Sequence, residues 1–280
     1  MKWLYANGNP IVYTDPSGKS STDPTDPRDQ VRVLKTHIQN QYGFILTSTD
    51  NLERSPNIEN WDLPALTLLE EVSNMVAWKF VNSINWREVM MHSISPRSIS
   101  GTELFRNYFD GVEIRRGPSN QNKVPGTGYY GKVSSSGNLY TAYGPKNIWE
   151  PGSQKGRNII LHEFGHIIDN RSSYKYSIDL DGCNKLDYII EKIYTYEKSH
   201  GYADMGGWGT KSGLGVNRRT DSNPQEIWAD LFGSWVIDSF PTNPNDFEAN
   251  DGTAFKNYID PYMRSDLMNL AFQLSGGKIK

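Results

Sequence analysis

One cysteine, Cys183, stands alone in 280 residues, so no internal disulfide forms and no multi-cysteine metal site is available. Neither charge is in excess. There are 29 Lys and Arg against 32 Asp and Glu, a formal net charge of −3, which removes the electrostatic case for nucleic acid or an anionic membrane as the main partner. No apolar run approaches the roughly 18 residues of a membrane span. The opening Met1-Lys2-Trp3-Leu4-Tyr5-Ala6-Asn7-Gly8 lacks the apolar core of a signal peptide, so export would need a carrier. What is present is 25 Gly, 15 Pro, 16 Tyr and 8 Trp among 36% hydrophobic residues. That describes a loop-rich, aromatic-rich globular chain of one large or two small domains.

Residues 15–27 carry three Asp-Pro pairs among Ser, Thr and Gly. Proline drives the residue before it out of the helical region, so this stretch reads as a linker. From Arg28 to about Gln41, Val31, Val33, Leu34 and Ile38 mark a short amphipathic helix that stops near Gly43. A second helix has Asp62 as N-cap and Pro64 in its first turn, with Leu68, Leu69, Val72, Met75, Val76 and Phe80 along one side. Residues 128–143, with Tyr and β-branched residues on both sides of a Ser/Gly/Asn turn, read as a hairpin. Tyr129, Tyr130, Tyr140 and Tyr143 in it are expected to pack as hairpin aromatics rather than line a cleft. Helical patterns follow at about 156–170, 184–198, 224–239 and 261–274. Helices, one hairpin and more helices make an α+β fold with a small mixed or antiparallel sheet.

The chemistry concentrates in His162-Glu163-Phe164-Gly165-His166, flanked by Asn158-Ile159-Ile160-Leu161 and Ile167-Ile168-Asp169. Four residues make about one helical turn, so both imidazoles project from one face toward one ion. Glu163, one position on, can reach a water beside that ion and take its proton. Two imidazoles, a carboxylate and an open fourth position suit zinc. By composition alone this pattern arises in roughly 0.4% of such chains, and two His and a Glu in an apolar helix would be costly without a metal or partners.

A third ligand must come from elsewhere, because Asp169 and Ser172 occupy the positions three and six residues past the motif. Glu226 and Asp230, in a helix opening at Pro224, are again one turn apart on one face. Glu226 is favoured as the ligand, with Asp230 receiving an N–H from the His162 ring and so setting its tautomer. His200 and Asp204 are the rival ligands.

His-Glu-Phe-Gly-His-x-x-Asp followed by Glu-x-x-x-Asp resembles the catalytic domain of anthrax lethal factor and the pro-Pro endopeptidases, within the gluzincin metallopeptidases. The likeness covers about residues 125–240. It implies a zincin-like fold with the motif on its active-site helix and a helical C-terminal subdomain. It also implies zinc held by His162, His166 and Glu226, Glu163 as general base, and an edge strand of the hairpin 128–143 offered to a peptide. In that family a Tyr lies seven residues before the ligand Glu, where this chain has Arg219, next to Arg218. Either arginine can stabilise a developing negative charge. Tyr202 and His200 are the other candidates for that role.

The strip Leu4-Tyr5-Ala6-Asn7-Gly8-Asn9-Pro10-Ile11-Val12-Tyr13-Thr14-Asp15-Pro16-Ser17-Gly18 resembles the end of the RHS/YD-repeat core of large secreted bacterial proteins. That core encapsulates a variable C-terminal domain, often a polymorphic toxin, so the resemblance implies that Met1 opens a fragment of a longer carrier. The expected organisation is residues 1–27 as core terminus and linker and 28–280 as metallopeptidase, with 28–124 its N-terminal helical part and 125–280 its catalytic part. The expected activity is zinc-dependent endopeptidase, secreted with its carrier and delivered into a target cell. Expected partners are a protein or peptide substrate, the RHS-type core and a cognate immunity protein, around a monomer. The alternatives are a peptidase that trims its own carrier and a non-catalytic binding module with a structural zinc site.

Overall fold

Pro27 begins the first helix, where its missing N–H and fixed φ cost nothing. In the computed structural model, which describes residues 27–48, 61–92, 99–117, 131–144, 146–182, 224–238 and 251–275, this helix is α1 (Pro27–Tyr42). Gly43 ends it at φ +79°, a left-handed conformation that favours glycine, and its N–H donates to the Gln39 carbonyl at 2.9 Å. The chain then enters β1 (Ile45–Ser48). Asp62 caps α2 (Leu63–Asn82), accepting from the Ala65 N–H at 3.0 Å. Leu68, Leu69, Val72, Val76 and Phe80 are buried along its inner side.

After α3 (Trp86–His92) comes α4 (Gly101–Phe109), opened by a reciprocal capping box between Ser100 and Glu103. Next are β2 (Glu113–Arg116), β3 (Gly131–Val133) and β4 (Leu139–Ala142). The expected hairpin is β3 and β4, paired antiparallel, with Gly137 at φ +70° in the turn and its N–H on the Ser134 carbonyl. A one-turn 3-10 helix (Lys146–Ile148) leads to α5 (Gln154–Arg171), then α6 (Lys175–Gly182), α7 (Pro224–Ile237) and α8 (Asp251–Leu274).

The architecture is α+β, helix-dominated, with a mixed four-stranded sheet in the order β1-β2-β4-β3. β1 and β2, and β2 and β4, run parallel. Leu46, Ile114 and Tyr140 are register neighbours and all are buried, so one face of the sheet is core. The sheet draws β1 and β2 from before residue 124 and β3 and β4 from after it, so the two stretches share one sheet and one core. That core meets α5 at Phe164, whose ring lies 5.8, 6.0 and 4.7 Å from those of Phe44, Phe105 and Phe109. Such aromatic contacts add about 0.5–1.5 kcal/mol each beyond area burial, and they pin the motif helix to the N-terminal elements.

One expectation needs correction. The last helix starts at Asp251 rather than near residue 261, and Pro261 lies inside it. Interior proline costs about 3 kcal/mol, so tertiary contacts must offset it. Ile259 is fully buried, and the Trp235 indole donates to Asp260 at 3.1 Å, both on the segment before the proline. The helix expected over 184–198, Cys183, and the strip 1–26 lie outside the described residues. Among the described residues no helix is long and apolar enough to cross a membrane.

Candidate metal centre

Ser153 caps α5 by accepting from the Gly156 N–H at 3.1 Å. The helix then carries His162 and His166 on one side and Leu161, Phe164 and Ile168 into the core. Both imidazoles are largely buried, each side chain 13% exposed. Their Nε2 atoms stand 3.1 Å apart, with the rings nearly perpendicular. The one-turn spacing thus directs two nitrogens at one point, as its helical geometry requires.

Helix α7 supplies the rest. Glu226 Oε2 lies 3.2 Å from His162 Nε2, and Glu226 Oε1 lies 3.5 Å from His166 Nε2. One turn later, Asp230 accepts from His162 Nδ1 at 2.7 Å and is almost fully buried. With Nδ1 given to Asp230, Nε2 of His162 is the nitrogen that faces Glu226 and would bind a metal once it gives up its proton. His162, His166 and Glu226 each offer a donor atom within 4.8 Å of the others, and this group could hold a metal ion.

The electrostatics favour a cation there. Burial works against a charged His162, but Asp230, Glu226 and Glu163 outweigh it and raise its pKa to about 10. Burial would push the Glu226 carboxyl up, yet hydrogen bonds and charge from His162 and His166 hold it well below the usual carboxylate range. The carboxylates that draw a proton onto the imidazole are equally available to a metal in its place.

Gly165 sets how closely the two helices approach. A Cβ there would lie 2.7 Å from Ala229 Cα and 3.1 Å from its carbonyl oxygen, so only glycine allows α5 and α7 to cross at this distance. Gly165→Ala should therefore part the helices by some tenths of an ångström and cost about 1–3 kcal/mol. The expected result is a melting temperature several degrees lower, together with weaker uptake of divalent metal in a chelator competition. An unchanged melt and unchanged uptake would show that the crossing tolerates the methyl.

Glu163 lies against β3. It is 7% exposed, and a Cβ on Gly131 would lie 2.7 Å from its Oε1. The position of Gly131 over Glu163 was not legible from sequence, since nothing local links a hairpin glycine to a helix thirty residues on. Among the described residues β3 pairs only with β4 and forms the end of the sheet. Tyr140 is wholly buried. Burial, then the nearby Glu163 charge, raises its pKa well above the usual value, and its hydroxyl has no hydrogen-bond partner among the described residues. Tyr140 and the buried Tyr143 pack as expected; Tyr129 and Tyr130 lie outside the described residues.

Asp169, three residues past His166, is fully buried and caps α6. Its Oδ1 accepts from the Tyr176 and Ser177 N–H groups at 3.0 and 2.9 Å. The motif's trailing aspartate therefore builds the next helix rather than adding a donor to the metal group. Arg219, Tyr202, His200, Asp204 and Arg218 all lie outside the described residues. No known protein family, curated protein or solved structure matches this chain.

Proposed function

We propose that the chain is a zinc-dependent endopeptidase of gluzincin type, with zinc held by His162, His166 and Glu226. The observation that carries this reading is the convergence of those three side chains from α5 and α7, with Glu163 buried one position along from His162. Two nitrogens bonded at about 2.1 Å to one tetrahedral ion stand about 3.4 Å apart, and the two Nε2 atoms stand at 3.1 Å. Three donors gather among the described residues, and a catalytic zinc site needs three protein ligands with a fourth position left for water or substrate.

Zinc bound here would supply Lewis acidity, polarising a scissile carbonyl and lowering the pKa of water. Glu163 takes the proton of the attacking water and passes it to the leaving amine. Asp230 keeps His162 in one tautomer and orientation. The edge of β3 beside Glu163, unpaired among the described residues, would offer an extended peptide a strand to pair with. Arg219, Tyr202 and His200 are the candidates for steadying negative charge on the carbonyl oxygen.

The wider reading follows the resemblance at the N-terminus. Residues 1–27 would end an RHS-type carrier core, and 28–280 would be its cargo, a secreted effector held in check by an immunity protein. Self-trimming of the carrier is the alternative use of the same chemistry.

The test is proteomic. Zinc-loaded protein incubated with a target-cell lysate should create new protein N-termini that vanish with chelator and return with added zinc. One equivalent of tightly bound zinc without any new terminus, in the lysate or in the carrier, would favour a binding module with a structural site.

A further inference from the structure

Helix α7 meets α5 at a pivot, where Ala229 abuts Gly165. At about 100° per residue, Trp228 projects to one side of that pivot, and Glu226 and Asp230 project to the other. A roll of α7 about its own axis therefore moves Trp228 and both carboxylates together. Trp228 is fully buried and held twice. Its indole N–H donates to the Gly165 carbonyl at 3.1 Å, and its ring stacks on Tyr176 at 4.5 Å with planes 10° apart.

Tyr176 is in turn held at two further points. Its backbone N–H is bound by Asp169 of the motif helix. Its hydroxyl donates to Asp266 Oδ2 of α8 at 2.8 Å, and Asp266 is itself held by Lys175 Nζ at 2.9 and 3.0 Å. The contacts close a triangle: α5 positions α6 through Asp169, α6 positions α7 through the Tyr176–Trp228 stack, and α7 returns Glu226 and Asp230 to His162 on α5.

We propose that Tyr176, through its stack on Trp228, is a positioning residue of the metal centre that sets the roll of α7 and so the metal affinity of Glu226 with the two histidines. This inference rests on the metal reading above. It needs no substrate, because its readout is metal affinity.

Zinc affinity is measured by chelator competition on the full chain and three variants. Tyr176→Leu, which removes the stack, should weaken zinc about 10–100-fold, the range for groups that orient ligands. Tyr176→Phe keeps the ring and loses only the hydroxyl, and should stay within about threefold of wild type. Ile38→Ala empties a core site on α1, and should lower the melt while leaving zinc affinity intact. Wild-type affinity in Tyr176→Leu, or an equal loss in Ile38→Ala, overturns the proposal.

Should Tyr176→Leu fail to fold, hydrogen exchange on the wild-type chain decides. Zinc loading should slow exchange at the Tyr176 and Ser177 amides along with α5 and α7, since coupling is reciprocal; protection confined to α5 and α7 overturns the brace. A wild-type chain that takes up no zinc defeats the metal reading itself, a result separate from any behaviour of the variants.

Discussion

Glu163→Gln is expected to keep its zinc and its fold while losing hydrolysis by about 10²–10⁴-fold in kcat, the usual contribution of a positioned general base. The substitution is nearly isosteric, which matters because Glu163 is 7% exposed and sits against Gly131 with no room for a larger group. An amide oxygen cannot accept the proton of the attacking water at neutral pH, so only the chemistry should fail. Metal content by elemental analysis, a thermal melt and appearance of new termini are read on the same preparation. Wild-type cleavage by a zinc-loaded Glu163→Gln protein would remove Glu163 from the mechanism. Loss of zinc together with activity would instead make it part of the metal group.

The second large effect is expected from Glu226→Ala. Structural zinc sites bind with about 10–16 kcal/mol, roughly 2.5–4 kcal/mol per ligand when spread over four, so deleting one protein ligand should weaken zinc by about 10²–10³-fold. Glu226 belongs to the first turn of α7, and its side chain is 32% exposed. Its removal also takes away the contacts with His162 and His166, so the ion-free melt should fall modestly while zinc affinity falls far more. Asp230 would not replace Glu226, because it is engaged at Nδ1, on the far side of the His162 ring from Nε2. Full zinc retention in Glu226→Ala, with loss in His200→Ala or Asp204→Ala, would mean that the third ligand lies in the segment before α7.

Local signals carried much of the helical layout. Asp62 with Pro64 is a start signal whose partner lies within four residues, so it reads the same in sequence and in structure, and the apolar spacing of Val31, Leu34 and Ile38 marks α1 just as locally. The Tyr-rich hairpin is similar, because its turn and both strands fit within residues 131–142. β1 and β2 were not legible. Each has only four residues, Ile-Leu-Thr-Ser and Glu-Ile-Arg-Arg, too few for a periodic pattern, and each is a strand because of a parallel partner far along the chain. The start of α8 was misjudged for the same reason. Proline at 261 is a local stop sign, and Ile259 and Asp260 override it through contacts with the core and with Trp235.

The centre divides along the same line. Sequence by itself determined that His162 and His166 share a face with Glu163 beside them, because helical pitch makes neighbours of residues one turn apart. It paired Glu226 with Asp230 on those grounds too. The expectation that Glu226 joins the two histidines and that Asp230 takes an N–H of His162 is met in the fold. Only the tertiary structure decided the distances at which they meet, that Nδ1 is the nitrogen bound, and that Gly131 lies over Glu163. Those relations depend on how closely α5 and α7 cross at Gly165 and on what holds α7 from rolling, namely Trp228 stacked on Tyr176. Pitch is a property of the backbone and repeats wherever a helix forms. The distance and roll between two helices are properties of the side chains caught between them, and no spacing along the chain encodes those.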